Sequence, residues 1–371
     1  MKRSIQRILT THVGSLPAPD GLDPSAGDYE ERLRRGVAEI VRRQSEIGLD
    51  VVSDGELGKM HWLAYLDNRL GGFEQRPASE PRPILMRGRD REEFPGYYAE
   101  ATLRGTLFNS SGYQSIGPSS RPTKAVCTGP VVYVGQRFVN RDTENLKAAL
   151  VSSPVEEAFL PVAAVASIEP YRFNEYYPGE KQFLYALADA LRVEYESIVA
   201  AGFLLQIDDA WTAALWDRIG MTMGLEAYKR RCMLRVEALN HALMRIPADR
   251  IRYHICWGSW HGPHAHDISM NDLIEVVLAV NAGAYLFEAA NVRHEHEYHL
   301  WERVKLPDGK ILIPGVVSHA TNIVEHPDLV SERLQRFARL VGKENIIAGT
   351  DCGFGGRLHA EIAWAKLQVL V

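Results

Sequence analysis

Short apolar or β-branched runs alternate along most of the chain with longer stretches whose apolar residues recur every three to four positions. The short runs fall at 8–13, 50–54, 124–129, 203–208, 251–256, 284–289, 311–317 and 346–351. The longer ones fall near 28–47, 179–201, 224–245, 272–282, 327–342 and 359–371. Short buried-type runs separated by amphipathic segments read as βα units, and so as a parallel sheet covered by helices. Gly48 and Gly202 follow the first two amphipathic stretches and mark their stops. Strands in this number close most economically into an α/β (β/α)8 TIM barrel, whose functional groups lie at the C-terminal ends of the strands.

Two segments break the repeat. Residues 72–123 hold many of the prolines together with mixed charges and aromatics such as Phe94-Pro95-Gly96-Tyr97-Tyr98. They predict an inserted excursion after strand two that covers the barrel mouth. Residues 150–178 include Phe159-Leu160-Pro161-Val162-Ala163-Ala164-Val165-Ala166-Ser167, which reads equally as a ninth strand or a buried loop. A length of 371 residues would hold two average domains, yet barrels with inserted loops reach this size as one unit, so 1–371 is expected to be a single catalytic domain. The chain has no fixed-period repeat and no low-complexity tract.

Composition narrows the partners. A hydrophobic content of 46% and seven tryptophans supply ample core, while a net charge of −5 with no basic run gives no general attraction to nucleic acid or an anionic membrane. The start, Met1-Lys2-Arg3-Ser4-Ile5-Gln6-Arg7, lacks the apolar centre of a signal peptide, and no stretch is apolar for long enough to span a bilayer. The expected location is the cytoplasm. Oligomeric state, a homo-oligomer included, stays open. Four cysteines are too few for a disulfide framework. Cys127 and Cys232 read as small core fillers.

The other two cysteines carry the candidate chemistry. In Tyr253-His254-Ile255-Cys256-Trp257-Gly258, alternation along a strand sends His254 and Cys256 the same way, so one metal ion can touch both. Gly349-Thr350-Asp351-Cys352-Gly353 places a second thiol at another strand end. Glu288, in Tyr285-Leu286-Phe287-Glu288-Ala289-Ala290-Asn291, is an acid in an apolar strand, costly to bury unless metal-bound or salt-bridged. One imidazole, two thiolates and a carboxylate suit Zn²⁺. Structural zinc usually comes from close Cys-x₂₋₄-Cys pairs, whereas these ligands are scattered along the chain, which favours a catalytic site. Two thiolates make the ion a poorer activator of water and a ready acceptor of another sulfur. A substrate thiol bound there loses its proton and stays nucleophilic, so the expected reaction is alkyl transfer onto sulfur. A zinc hydrolase on such a barrel would instead show His-x-His after an early strand, where this chain has Thr11-His12-Val13. The histidine runs His261/His264/His266 and His294/His296/His319 read mostly as solvated loop residues rather than a second metal site. Aromatics at Trp62, Tyr97, Tyr98, Trp211, Trp257 and Trp260 are candidates to wall an apolar substrate.

Read together, Thr10-Thr11-His12-Val13-Gly14-Ser15-Leu16-Pro17, Asp54-Gly55-Glu56, Gln206-Ile207-Asp208-Asp209, His254-Ile255-Cys256, Phe287-Glu288 and Asp351-Cys352-Gly353 resemble the cobalamin-independent methionine synthase family. The resemblance covers most of the chain. It points to the catalytic C-terminal barrel and to single-barrel relatives that include epoxyalkane:coenzyme M transferase. It implies that Gly14-Ser15, Glu56 and Asp208 hold an amino-acid thiol, the two acids taking its ammonium group, with zinc on His254, Cys256, Glu288 and Cys352. The reaction implied is methyl transfer to a small thiol, most simply homocysteine to give methionine, with Asp208 and His319 as catalytic residues. Other outcomes of the same chemistry are epoxide opening by coenzyme M and aryl-ether demethylation. Three departures stand out. The chain reads Gln206-Ile207-Asp208-Asp209-Ala210-Trp211 where the family has Gln-Ile-Asp-Glu-Pro. His319 only lies near the position of the family's proton-donating histidine. The second, N-terminal barrel that helps hold the folate donor in the large synthases has no counterpart here, which leaves the methyl or alkyl donor unidentified.

Overall fold

The computed structural model describes residues 1–59, 63–77, 87–107 and 123–371. Its strands are β1 (Leu9–Thr10), β2 (Val51–Val52), β3 (Leu70–Pro77), β4 (Thr123–Tyr133), β5 (Glu157–Ala163), β6 (Arg172–Asn174), β7 (Leu204–Asp209), β8 (Ile251–Ile255), β9 (Ala284–Phe287), β10 (Ile311–Val317) and β11 (Ile347–Thr350). Eight of them form one parallel sheet in the order β1-β11-β10-β9-β8-β7-β5-β2, and a parallel bridge from Thr11 to Val51 joins its two ends. The sheet is the expected barrel. Helices Tyr29–Glu46, Glu180–Ala200, Leu225–Leu243, Met270–Leu278, Pro327–Val341 and Ala360–Leu370 lie where the periodicity places them. No helix among the described residues is long and apolar enough to cross a membrane.

The barrel interior follows from alternation. Leu9, Ala284, Leu286, Ile311, Ile313 and Ile347 form one inner cluster and Val51, Phe159 and Leu204 another, while Tyr253 and Ile255 point outward into the main helix-covered core. On β8 the inward positions are therefore Arg252 and His254, paired in register with Gln206 and Asp208 of β7. Arg252 spans the interior: its two terminal nitrogens donate to Thr11 Oγ1 and His12 O, both at 3.0 Å, and its guanidinium lies 3.8 Å from the Phe159 ring centre.

One expected strand is misplaced. Residues 124–129 belong to β4, which leaves the barrel and forms a second sheet, antiparallel to β3 and parallel to β6. The third barrel position goes to β5, the segment read as strand or buried loop. The physical difference is that β5 is buried from Ala158 onward, as a parallel strand covered on both faces must be, whereas β4 carries Gly129-Pro130 and has exposed residues at both ends. Helix Gln136–Leu150 is a further element beyond those expected. Of the excursion at 72–123, residues 78–86 and 108–122 lie outside the described residues, as does Trp62. Between those stretches, Tyr97 donates to His261 O and Tyr98 accepts from Trp260 Nε1 at 3.1 Å, which docks helix Pro95–Arg104 on the loop after β8.

Candidate functional site

The ends of β8 and β11 bring His254, Cys256 and Cys352 together. One ligating atom from each lies within 4.8 Å of the other two, and all three residues are buried. The sulfurs of Cys256 and Cys352 are 3.7 Å apart. That is far wider than a disulfide of about 2.0 Å. It matches the roughly 3.7 Å between two thiolates held tetrahedrally at about 2.3 Å from one zinc ion. His254 Nδ1 meets Asp208 Oδ1 at 3.1 Å, while His254 Nε2 is buried without a partner among the described residues. A carboxylate on one imidazole nitrogen leaves the other as a lone-pair donor, the arrangement that orients a metal-binding histidine. The donor set and the orphaned nitrogen fit a soft, tetrahedral ion.

Neighbouring groups hold the sulfurs. Gly258 N–H donates to Cys256 Sγ at 3.2 Å, and Ser259 Oγ to Cys352 Sγ at 3.0 Å. The hydrogen bond from Cys256 holds Cys352 well below the ordinary thiol range, aided by the positive field of Arg357, His319 and His254 against the cost of burial. The same hydrogen bond, with burial, holds Cys256 well above it. This pair is a thiolate and its proton donor, and a binding metal would displace that proton to solvent.

Glu288 stands beside the trio but groups instead with His319 and Asp351, again within 4.8 Å. Its carboxylate accepts from Trp257 N at 3.1 Å and Asn291 Nδ2 at 2.5 Å, and burial raises its pKa. Asp351 is wholly buried and takes Ala289 N–H at 2.8 Å and Ala290 N–H at 2.9 Å, which ties the loop after β9 to the loop after β11. His319 is buried, its Nδ1 has no partner among the described residues, and burial lowers its pKa to about 3.

The expected substrate residues lie around the same mouth. Gly14 has φ +141°, and a Cβ there would fall 2.8 Å from Glu56 Oε1 and 2.9 Å from Pro161, so only glycine lets the Glu56 carboxylate come this close. Glu56 itself has φ +59°, a left-handed conformation that costs a non-glycine residue and recurs at functional sites. Burial, reinforced by Asp208, pushes its carboxyl up to about 8 against the pull of Lys59. Ser15 O accepts from Phe354 N at 2.8 Å and Gly355 N at 3.1 Å, which fastens the first loop to the Cys352 loop. Gly14 N is engaged with His12 Nδ1 at 3.1 Å. Gln206 Nε2 donates to Asp208 Oδ1 at 2.8 Å.

The histidine-rich loops differ from expectation: His264 and His294 are packed rather than solvated, because Asp267 bonds both, at 2.9 and 3.1 Å, and Glu297 takes the other nitrogen of His294 at 3.0 Å. Trp260 stacks on His264 and Trp257 on His294, with ring centres 4.1 and 4.3 Å apart. Burial disfavours charge on His294, but the bonds to Asp267 and Glu297 outweigh it and raise its pKa from 6.5 to about 10. A raised folded pKa stabilises fully below about 6.5, and the contribution is lost as pH climbs through about 10. Replacing His294 with glutamine is therefore expected to flatten the decline of stability over that window, read from urea midpoints at several pH values. Sequence reasoning passed over Ser259, Asn291 and Asp267; only Asp351, an acid directly before Cys352, gave a signal.

No family model matches the chain. Among curated proteins it is 24% identical to the 2-hydroxypropyl-CoM lyase of Xanthobacter autotrophicus, over 98% of this chain and 93% of that protein. It is 23% identical to the methionine synthase of Saccharolobus solfataricus, over 98% and 92%. Among solved structures, a B12-independent methionine synthase from a Shewanella species, in complex with selenomethionine, matches with a TM-score of 0.71 at 16% identity, covering 98% of this chain and 95% of that one. A putative vitamin-B12-independent methionine synthase from Listeria monocytogenes matches at 0.63 and 19%, covering 98% and 97%. The barrel is the fold they share.

Proposed function

From a barrel homologous to the cobalamin-independent methionine synthases and to 2-hydroxypropyl-CoM lyase, we propose a single-domain, zinc-dependent transferase that moves a methyl group onto a small thiol, most simply homocysteine. The observation that carries this reading is the sulfur pair at 3.7 Å with an unpartnered imidazole nitrogen beside it. Zinc bound to His254, Cys256 and Cys352, with Glu288 as fourth ligand, would supply the Lewis acidity that makes a substrate thiol a thiolate at neutral pH. The chain's own residues do the rest. Asp208 fixes the His254 ring through Nδ1. Glu56 and Asp208 take the ammonium of the amino acid, whose arrival restores the Glu56 carboxylate to its charged form. Ser15 binds the other end, and His319, neutral in the empty site because burial lowers its pKa to about 3, would take the proton that the substrate thiol loses and pass it to the departing carrier. Helix Pro95–Arg104, docked on the loop after β8, keeps water from the mouth. A reducing compartment such as the cytoplasm keeps both cysteines available.

Glu56→Gln keeps the shape and removes the charge. It is expected to weaken homocysteine binding by about 10- to 100-fold, the cost of one charge-assisted contact. Calorimetry on zinc-loaded protein checks this, with the neutral thiol 2-mercaptoethanol expected to bind as before. The reading itself is tested by mass spectrometry for methionine after incubation with homocysteine and a panel of methyl carriers, methyltetrahydropteroyltriglutamate among them. No thioether from homocysteine or from coenzyme M would overturn it. Alkyl transfer to a thiol other than homocysteine, by epoxide opening or aryl-ether demethylation, is the second reading, favoured by buried Trp260, whose ring abuts Gly258 after Cys256, and by buried Tyr98 bonded to it.

A further inference from the structure

Among the described residues, two buried hydrogen-bond donors near the barrel mouth have no acceptor. Arg218 lies in a π-helical turn, Trp216–Gly220, a backbone irregularity that recurs at functional sites. Its guanidinium carbon stands 4.5 Å from the Trp260 ring centre and 5.4 Å from that of Trp211. One terminal nitrogen donates to Ala214 O, but Nε is buried and unpartnered, and Trp211 Nε1 is in the same condition. Arg218 forms no ion pair among the described residues. The adjacent Asp217 is turned to Asp90, whose N–H reaches its Oδ1 at 3.0 Å. Leaving such donors dry is unfavourable unless an acceptor completes them.

The Trp260 ring beside Arg218 connects this place to the Cys256 loop. A Cβ on Gly258 would lie 2.0 Å from the Trp260 ring, so the indole is pressed against the peptide that donates to Cys256. Trp211 follows Asp208 by three residues, and its backbone N–H bonds Asp209 Oδ1 at 3.2 Å.

We propose that Arg218 and Trp211 form an anion subsite beside the metal cluster, which holds a carboxylate or sulfonate of a small-molecule substrate. A planar guanidinium Nε and an indole N–H together offer two directed donors, enough for two oxygens of one anionic group. The tryptophan walls exclude water and strengthen the contact. That the anion belongs to a substrate of thiol alkylation rests on the proposed function. It arrives either on the thiol or on the alkyl donor, and the two are separable.

The test is calorimetry on the zinc-loaded full chain with 2-mercaptoethanesulfonate, neutral 2-mercaptoethanol, and ethanesulfonate, which lacks a thiol. If the anion comes with the thiol, 2-mercaptoethanesulfonate binds at least about tenfold more tightly than 2-mercaptoethanol. Arg218→Met, which keeps an apolar stem between the indoles, abolishes that preference and leaves 2-mercaptoethanol binding intact. If it comes with the donor, the two thiols bind alike, ethanesulfonate binds to protein already saturated with 2-mercaptoethanol, and Arg218→Met abolishes that binding. Trp211→Phe, which keeps a ring and loses only the N–H, is expected to weaken whichever anion binds, and it decides the matter should the arginine variant not fold. The subsite is overturned if no anion preference exists, or if one exists that both variants leave unchanged. Failure of 2-mercaptoethanol to bind would count against the proposed function alone, because ethanesulfonate binding without thiol still reads the subsite.

Discussion

Replacing Cys352 with serine is expected to cost more than about 100-fold in zinc affinity, with activity falling at least as far. Partners one bond removed from a metal already cost about 10- to 100-fold when lost, and Cys352 would touch the proposed ion directly. A hydroxyl is harder and far less acidic than a thiol, so the variant offers no second anionic sulfur. It also removes the acceptor for Ser259 Oγ and for the Cys256 thiol. Cys256→Ser is expected to match it, and Glu288→Gln to lose less, since that carboxylate is shared with Trp257 N and Asn291. Metal content after dialysis against a weak chelator reads the first effect and thioether formation the second. Unchanged circular dichroism separates both from misfolding.

Arg69→Met is expected to destabilise the protein by about 3–5 kcal/mol, the cost of breaking a buried charge cluster from one side. Arg69 precedes β3 and bonds Asp142 at 2.6 Å, on helix Gln136–Leu150, and Glu194 at 2.5 Å, on helix Glu180–Ala200. All three side chains are buried. Its guanidinium also lies 4.8 Å from the Tyr65 ring centre. Without it, two carboxylates face each other in the dry seam between the second sheet and the barrel helices. Burial already raises the pKa of Glu194 against the pull of Arg69, so removing the cation is expected to force proton uptake there. The urea midpoint should fall and recover in part when Glu194→Gln is added. Additive losses would show that the triad is not a unit.

Much of this was legible along the chain because parallel barrels impose simple rules. His254 and Cys256 share a face by strand alternation, and Asp208 meets His254 because β7 and β8 pair in register. Cys352 and Glu288 sit just past strand ends, where a barrel gathers its chemistry. The third barrel strand was harder. Glu157–Ala163 is buried nearly throughout and shows no period, whereas Thr123–Tyr133 has the β-branched look of a barrel strand but carries a glycine-proline step. Helix Gln136–Leu150 escaped because two of its buried positions, Asp142 and Thr143, are polar and blur the apolar stripe. Asp142 is buried because Arg69, far away in sequence, and the adjacent Arg141 both meet it. The packing of His264 and His294 was hidden for the same reason, since it depends on Asp267 and Glu297 meeting them in space. The orphaned donors of Arg218 and Trp211 show only in the folded arrangement.

The central claim is a sulfur-bearing metal centre that takes up a thiol. Zinc X-ray absorption on the purified, zinc-loaded protein, recorded before and after adding homocysteine, coenzyme M or glutathione, tests it most directly. The expected spectrum has two sulfurs at about 2.3 Å without thiol and three with at least one of them. Zinc lacking the two cysteine sulfurs, or a sulfur count unmoved by all three thiols, would contradict it.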